Sequence, residues 1–391
     1  MIYLDHHATT PTDPRVLEAM LPYFDREFGN AASRTHAYGW RAEAAVAVAR
    51  EAIARAIGAG DAREIVFTSG ATESNNLALL GVARAGRSRG DHVVTLATEH
   101  SSVLEPCQAL VREGFTATVV PVGRDGRVDP AAVAAAVTPR TLLVSGGWAN
   151  GEIGTLQPID AIARACHERG VLLHSDAAQA LGKVPVHVAA GVDLLSLSAH
   201  KLYGPKGVGA LWVRPGRPRV RIEPLFFGGG HENGLRPGTL PVALIVGFGR
   251  AVEIAVAERE VEAARLLGLR ERLLERLRDA LSGVSLNGHA SERLPGNLSL
   301  GFEGIEADAL LASLHDIALS TGSACSSARP EPSHVLVALG LPDAAVRSCV
   351  RIGLGRGTTT EQVDIAAERI VAEVRLQRAA RSSAVRARSG A

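Results

Sequence analysis

Residues 194–207 read LLSLSAHKLYGPKG, an apolar run that ends in serine, histidine and lysine and then breaks into glycine turns. A short apolar run closed by a turn is the mark of a buried strand. The same pattern recurs upstream in EIVFTSG, DHVVTLATEH, TATVVPV, TLLVSGGW and VLLHSDAA. Between these runs lie segments with one apolar face, such as ATESNNLALLGVARAG and the stretch from Val103 to Arg112. Buried-type strands alternating with amphipathic helices predict an α/β fold whose sheet is mostly parallel and covered by helices on both faces. In such sheets ligands bind beyond the carboxyl ends of the strands. The chemically capable residues fall at those ends: Ser69 to Thr72, His100, Asn150, Asp176 to Gln179, and Ser198 to Lys201.

Near Gly247 the character changes. A long stretch rich in Ala, Glu, Arg and Leu runs to Leu281, interrupted by Gly268, and is followed by NLSLGF, a helix around Ala307 to Leu314, and CVRIGLG. This is α+β material. The expected organisation is a large domain over 13–250, a smaller α+β domain from 1–12 and 251–380, and a flexible basic tail over 381–391. The chain of 391 residues is 46% hydrophobic, enough for substantial cores without staples. Its formal net charge of +1 gives no global argument for nucleic acid or a membrane surface. No apolar run reaches the ~18 residues of a membrane span. The first residues lack the basic and apolar regions of a signal peptide. Four scattered cysteines with no CxxC spacing argue against a disulfide framework, and no metal centre is expected. A reducing cytoplasm is the expected compartment.

Each candidate site residue has two readings. Lys201, after a strand and between Ser198, His200 and glycine turns, is either an ordinary loop lysine or a buried amine suited to Schiff-base chemistry. Asp176 at the end of VLLHSD needs a partner to stay charged. A salt bridge, a helix cap or a pyridinium nitrogen would each serve. The turn TSGATES can cap a helix, bind an anion at the helix N-terminus, or do both, but lacks the lysine of a P-loop. His100 and Asn150 are individually compatible with structural roles, Asn150 in a turn before Gly151. The order is more informative than any member: phosphate turn, histidine, asparagine, Asp-x-x-Gln and Ser-x-His-Lys, at successive strand ends. Together these are the parts needed to hold pyridoxal phosphate.

The motifs YLDHHATTP, FGNAASRTHAYGW, EIVFTSGATESNNLA, TEH, NGEIGT, SDAAQALGK, SAHKLYGPKG, GGGHENGLRPGTLP, TGSACSSA and VRIGLGRGTT occur in this order from about residue 2 to about residue 360. The sequence thereby resembles the cysteine desulfurases of the NifS/IscS type, class V aminotransferase-like enzymes of fold-type I. The resemblance implies a seven-stranded large-domain sheet, a homodimer, and pyridoxal 5'-phosphate as cofactor. It implies that Lys201 carries the cofactor, and that His100 stacks on its ring and serves as an acid or base. Asp176 would pair with the ring nitrogen, with Gln179 and Asn150 beside the ring. Ala71, Thr72, Ser198 and His200 would hold the phosphate, with Thr239 reaching a neighbouring subunit's phosphate. Arg351, with Asn150, would bind the substrate.

In the implied reaction L-cysteine becomes L-alanine. A persulfide forms on Cys325 and passes to an acceptor protein, for iron–sulfur cluster assembly or another thiolation. Gly322 and the serines of TGSACSSA suit a swinging cysteine, whereas Cys107, Cys166 and Cys349 read as structural thiols. No direct nucleic-acid contact is implied. A selenocysteine lyase, or another class V aminotransferase-like enzyme, is the alternative. Three positions depart from the common pattern: Gly151 where the family often has asparagine, Pro237 where it often has serine, and SGGWAN, which lacks a common histidine.

Overall fold

The computed structural model describes residues 1–216, 219–321 and 332–389. Cys325 lies outside the described residues.

The strands are β1 (Ile2–Tyr3), β2 (Ile65–Thr68), β3 (His92–Leu96), β4 (Thr116–Val120), β5 (Thr141–Ser145), β6 (Leu172–Asp176), β7 (Leu194–Ser198), β8 (Gly209–Val213), β9 (Val284–Leu286), β10 (Asn297–Phe302), β11 (Ile317–Ala318) and β12 (Cys349–Gly353). Seven of them form one sheet in the order β2-β8-β7-β6-β5-β3-β4. The pairs from β7 through β6, β5 and β3 to β4 are parallel, while β8 runs antiparallel to both β7 and β2. The α/β class with a mostly parallel seven-stranded sheet is therefore the observed one. The parallel strands carry Val and Leu on both faces because helices cover both, which is why they read as continuous apolar runs. TATVV departs from that reading: as β4 it is the sheet edge, and Thr116 and Val119 are exposed.

Helix Ala71–Gly86 coincides with the expected segment. Helix Val242–Ala280 is continuous, so Gly268 does not break it. A helical glycine costs roughly 1 kcal/mol. Here burial of Leu266, Leu269, Leu273, Leu274 and Leu277 along the same face outweighs that cost. The N-terminal half of this helix, through Ala255, packs into the core around the seven-stranded sheet. Its C-terminal half, from Leu266, belongs to a second core built on the three-stranded sheet β12-β10-β9. Helix Thr360–Ser389 packs on that second core and continues into the segment expected to be a flexible basic tail. No helix among the described residues is long and apolar enough to cross a membrane.

The N-terminal segment joins the two cores. Leu4 is buried in the second core, while Thr10 and Asp13 bond to the backbone of 200–203 beside β7. The strand ends of the large sheet therefore open toward a strap that is anchored on both sides.

Candidate active site

β7 delivers Ser198, fully inside, to a short turn Ala199–Lys201. Lys201 Nζ donates to the carbonyl oxygens of His7 and Ala8, both at 2.7 Å. The strap that supplies these carbonyls is itself zipped to the turn. Thr10 N and Oγ1 both donate to His200 O, and Tyr203 N donates to Thr10 Oγ1 at 2.8 Å. His200 Nδ1 pairs with the Thr9 hydroxyl at 3.1 Å. Burial, reinforced by the charges of Lys201, Lys206 and Lys183, pushes His200 down to about 4, so the ring is neutral near pH 7.

Asp176 closes β6. One carboxylate oxygen accepts from Ala178 N at 2.9 Å and the other from Asn75 Nδ2 at 2.7 Å. Asn75, fully buried in helix Ala71–Gly86, also donates to Ser102 Oγ at 2.8 Å. That leaves the Ser102 hydroxyl proton for His100 Nδ1, 2.8 Å away, which also accepts from Ser102 N at 3.1 Å. A neutral His100 with two donors at Nδ1 must carry its own proton on Nε2. The result is a continuous chain, Asp176–Asn75–Ser102–His100, in which each link pairs a donor with an acceptor. His100 is the N-cap of helix Ser101–Arg112 and its ring is exposed at the strand ends. Next to it Glu99 is buried, with one oxygen accepting from Gly147 N at 2.8 Å, and desolvation pushes its carboxyl up to about 8.

Beyond the carboxyl end of β2, Ala71 and Thr72 open a helix, so their backbone N–H groups have no intrahelical acceptor. Gly209 on β8 lies against this turn. A Cβ at Gly209 would come within 2.6 Å of Gly70 Cα, so only glycine permits the approach. Glu73 turns back to accept from Ser69 N at 2.7 Å and from Arg236 Nε at 2.9 Å. Its negative charge at the helix start is thereby paired. Thr239 is exposed and, among the described residues, makes no contact that brings it to this turn, although Arg236, three residues earlier, ties the same loop to Glu73.

Arg351 on β12 is 5% exposed. Its Nη2 donates to Asp5 Oδ1 at 2.8 Å and its Nη1 to Gly151 O at 3.3 Å. Asn150 behaves as the turn residue of the first reading. Its Oδ1 accepts from Glu152 N and Ile153 N, and its Nδ2 donates to Thr98 O at 2.7 Å. Gln179 donates from Nε2 to His7 O at 2.9 Å and accepts at Oε1 from Lys183 Nζ at 2.9 Å. The strap thus gathers Lys201, Gln179 and, through Asp5, Arg351.

The expected residues fall into three groups. Lys201, His200, Ser198 and Gln179 cluster at the strap, Asp176 and His100 share one hydrogen-bond chain, and Ala71 and Thr72 open a helix at the turn after β2. Sequence reading missed Asn75, Ser102, His7, Asp5, Lys183 and Glu99. The available hint for Asn75 was a polar residue on the apolar face of a helix. Among the described residues no group of three or more His, Cys, Asp or Glu is placed to hold a metal ion. Cys107, Cys166 and Cys349 are buried free thiols, and burial pushes each well up, to about 12, 12 and 11.

A helix-start turn of backbone N–H groups, a carboxylate fixed by two donors and an amine held by carbonyls fit the phosphate, ring nitrogen and aldehyde carbon of pyridoxal phosphate. Comparisons with known proteins point the same way. The family model described as Aminotransferase class-V matches residues 2–365. A cysteine desulfurase IscS of Anaeromyxobacter dehalogenans (strain 2CP-C) is 54% identical over 366 residues, which cover 93% of this chain and 90% of that protein. A solved NifS-like protein superposes with a TM-score of 0.89 at 37% identity, covering 96% of this chain and 99% of the other. A structure described as SspA in complex with cysteine gives a TM-score of 0.80 at 37% identity over 90% of this chain and 99% of that one. By sequence and by fold, the chain belongs to the aminotransferase class-V family and, within it, to the cysteine desulfurases.

Proposed function

We propose that this protein binds pyridoxal phosphate at Lys201 and converts L-cysteine to L-alanine, transferring the sulfur through Cys325 to an acceptor protein. The observation that carries the reading is the strap. It holds the Lys201 amine by two carbonyl oxygens, with Arg351 at one end and the Asp176–Asn75–Ser102–His100 chain within the same set of strand ends. When bound, the cofactor supplies an electron sink for a carbanion at the substrate α-carbon, provided its ring nitrogen stays protonated.

The residues divide the remaining work. Asp176 keeps that nitrogen protonated, and Asn75 and Ala178 N orient the Asp176 carboxylate. The first-turn N–H groups of Ala71 and Thr72, with Ser198 and His200, hold the phosphate. Arg351 binds the substrate carboxylate with a planar fork that a lysine cannot reproduce. Lys201 Nζ moves the α-proton, and His100 Nε2 holds a proton for the ring oxygen or for the substrate β-carbon once the sulfur has been taken. Cys325 Sγ, as a thiolate, takes the substrate sulfur as a persulfide: its S–S bond forms as the substrate's C–S bond breaks, the C–S electron pair stays on the substrate β-carbon, and that carbon takes up a proton so that the three-carbon remainder leaves as alanine. The acceptor is a protein of an iron–sulfur assembly or thiolation system.

A homodimer is part of this reading. Phe227 is 85% exposed, and Phe226, Phe28 and Trp40 are also exposed. Thr239, in the same loop as the exposed phenylalanines, would then serve the partner's phosphate. We also place the domain division inside helix Val242–Ala280, between the two cores it serves. Buried unpaired thiols favour a reducing compartment, the cytoplasm.

The test uses sulfur-labelled cysteine. The wild type should be yellow, release alanine and carry label that dithiothreitol removes. Lys201→Ala should be colourless, and Cys325→Ala yellow but unlabelled. Protein-bound persulfide in Cys325→Ala would overturn the assignment. A colourless wild type supplied with the cofactor would overturn the cofactor site.

A further inference from the structure

Lys183 follows the Asp-x-x-Gln segment on the far side of the Lys201 site, and the reaction described above gives it no task. Its Nζ donates to Gln179 Oε1 at 2.9 Å. Among the described residues no carboxylate lies within ion-pair distance of it. The one acid facing the same small cavity, Glu262, is already engaged by Arg356 at 3.1 Å. That cavity, about 30 Å³, is lined by both Lys183 and Lys201. Its other titratable groups are His6 and His7 from the strap, Tyr203 beside Lys201, Arg259 and Glu262 from helix Val242–Ala280, and Arg356; Arg351 adds its field. Cations dominate, so a lysine placed here is costly unless its position has a use.

The hydrogen bonds of the Gln179 amide indicate that use. Oε1 faces two donors, Lys183 Nζ and His7 Nδ1 at 3.3 Å, and Nε2 faces the His7 carbonyl. Turning the amide over would set a donor against an ammonium and an acceptor against a carbonyl. The carbonyl that Gln179 holds is one of the two that hold Lys201 Nζ. We propose that Lys183 is a positioning residue for the Lys201 site, fixing Gln179 and the His7 carbonyl and placing a second positive charge behind the Lys201 nitrogen. This rests on Lys201 carrying the cofactor. Burial pushes Lys183 itself down to about 7, with the Lys201 charge as the next cause, so the two nitrogens disfavour each other's protons.

The experiment is a pH titration of the visible absorbance of the holoenzyme, with a cofactor-release assay beside it. Removing a neighbouring cation should raise the pKa of the coloured centre by about one unit in Lys183→Met. Cofactor release should quicken by roughly tenfold as the carbonyl loses its support, an effect of about 1.4 kcal/mol. Lys183→Arg, still cationic and a donor, should return the pKa to the wild-type value. If Lys183→Met does not fold, Lys183→Gln removes the charge while keeping a donor, and should show the pKa shift without the faster release. A wild-type pKa in both neutral variants, in proteins that melt like the parent, overturns the role of Lys183. A wild type that takes up no cofactor at Lys201 overturns instead the reading of the site on which this rests.

Discussion

Asn75 is the link most open to direct test, because every hydrogen bond it makes is known. Its amide donates to Asp176 at 2.7 Å and to Ser102 at 2.8 Å, while its own Oδ1 is buried without a partner among the described residues. In Asn75→Ala the bond to the carboxylate, worth about 1.5–3 kcal/mol, and the bond to the hydroxyl, worth about 1 kcal/mol, are both lost. Removing the orphaned Oδ1 returns about 1 kcal/mol of its desolvation cost. The loss exceeds the gain by about 2 kcal/mol, which for a domain of this size lowers the melting temperature by roughly 4–8 °C. Ser102→Ala should cost about 1–2 kcal/mol, since it breaks one bond to Asn75 and one to the exposed His100. The two residues touch, so the double variant should cost less than the sum by at least about 0.5 kcal/mol. The assay is urea unfolding of both single variants and the double. Strict additivity, or an Asn75→Ala protein as stable as the parent, would show that the chain from Asp176 to His100 is not a connected unit.

Three further outcomes follow from other buried groups. Burial raises the Glu99 carboxyl from 4.5 to about 8, so the folded protein keeps a proton there that the unfolded chain releases. Stability contributed at Glu99 should therefore fall as pH rises from about 4.5 to 8. Glu99→Gln should flatten that fall in melting curves taken across the window, and parallel curves would contradict it. Arg50 meets both oxygens of Glu232, at 2.6 and 2.7 Å, and Glu232 is 3% exposed at its side chain. Arg50→Met should cost about 3–5 kcal/mol in urea unfolding by stranding that charge, and adding Glu232→Gln should recover part of the loss. Arg351→Lys should raise KM for cysteine at least about tenfold while the visible band stays unchanged. Equal KM values would remove Arg351 from carboxylate binding.

The strand ends were legible because parallel strands covered on both faces must be apolar throughout, so each ends abruptly where chemistry begins. β8 was not read as a strand: it begins at Gly209, a residue required for close approach to Gly70, and it runs against its neighbours. Gly268 misled because local propensity was weighed without the two cores that hold the helix straight. The hydrogen-bond chain was illegible for a different reason. Asn75 lies 27 positions from Ser102 and 101 from Asp176, and nothing in the spacing of either pair predicts contact. Residue type indicates what a side chain can donate or accept, whereas only the sheet order determines which groups meet.

The sheet order also explains why the proposed substrate clamp and the proposed reactive amine need a third element. Arg351 belongs to β12 and the second core, whereas Lys201 follows β7 in the first. A hinge between two cores would let them drift apart. The strap prevents this with few residues. Asp5 accepts from Arg351 and from Ser320 Oγ at 3.1 Å, and His7 and Ala8 accept from Lys201. From Asp5 to Ala8 an extended chain spans at most about 11 Å. Guanidinium and amine are thus tied to one short piece of backbone, whose ends are fixed by Gly353 on one side and His200 on the other. The two cores can adjust only as far as that tether allows. Under the proposed roles, a small amino acid held by its carboxylate at Arg351 would thereby be kept close to the nitrogen that would move its α-proton.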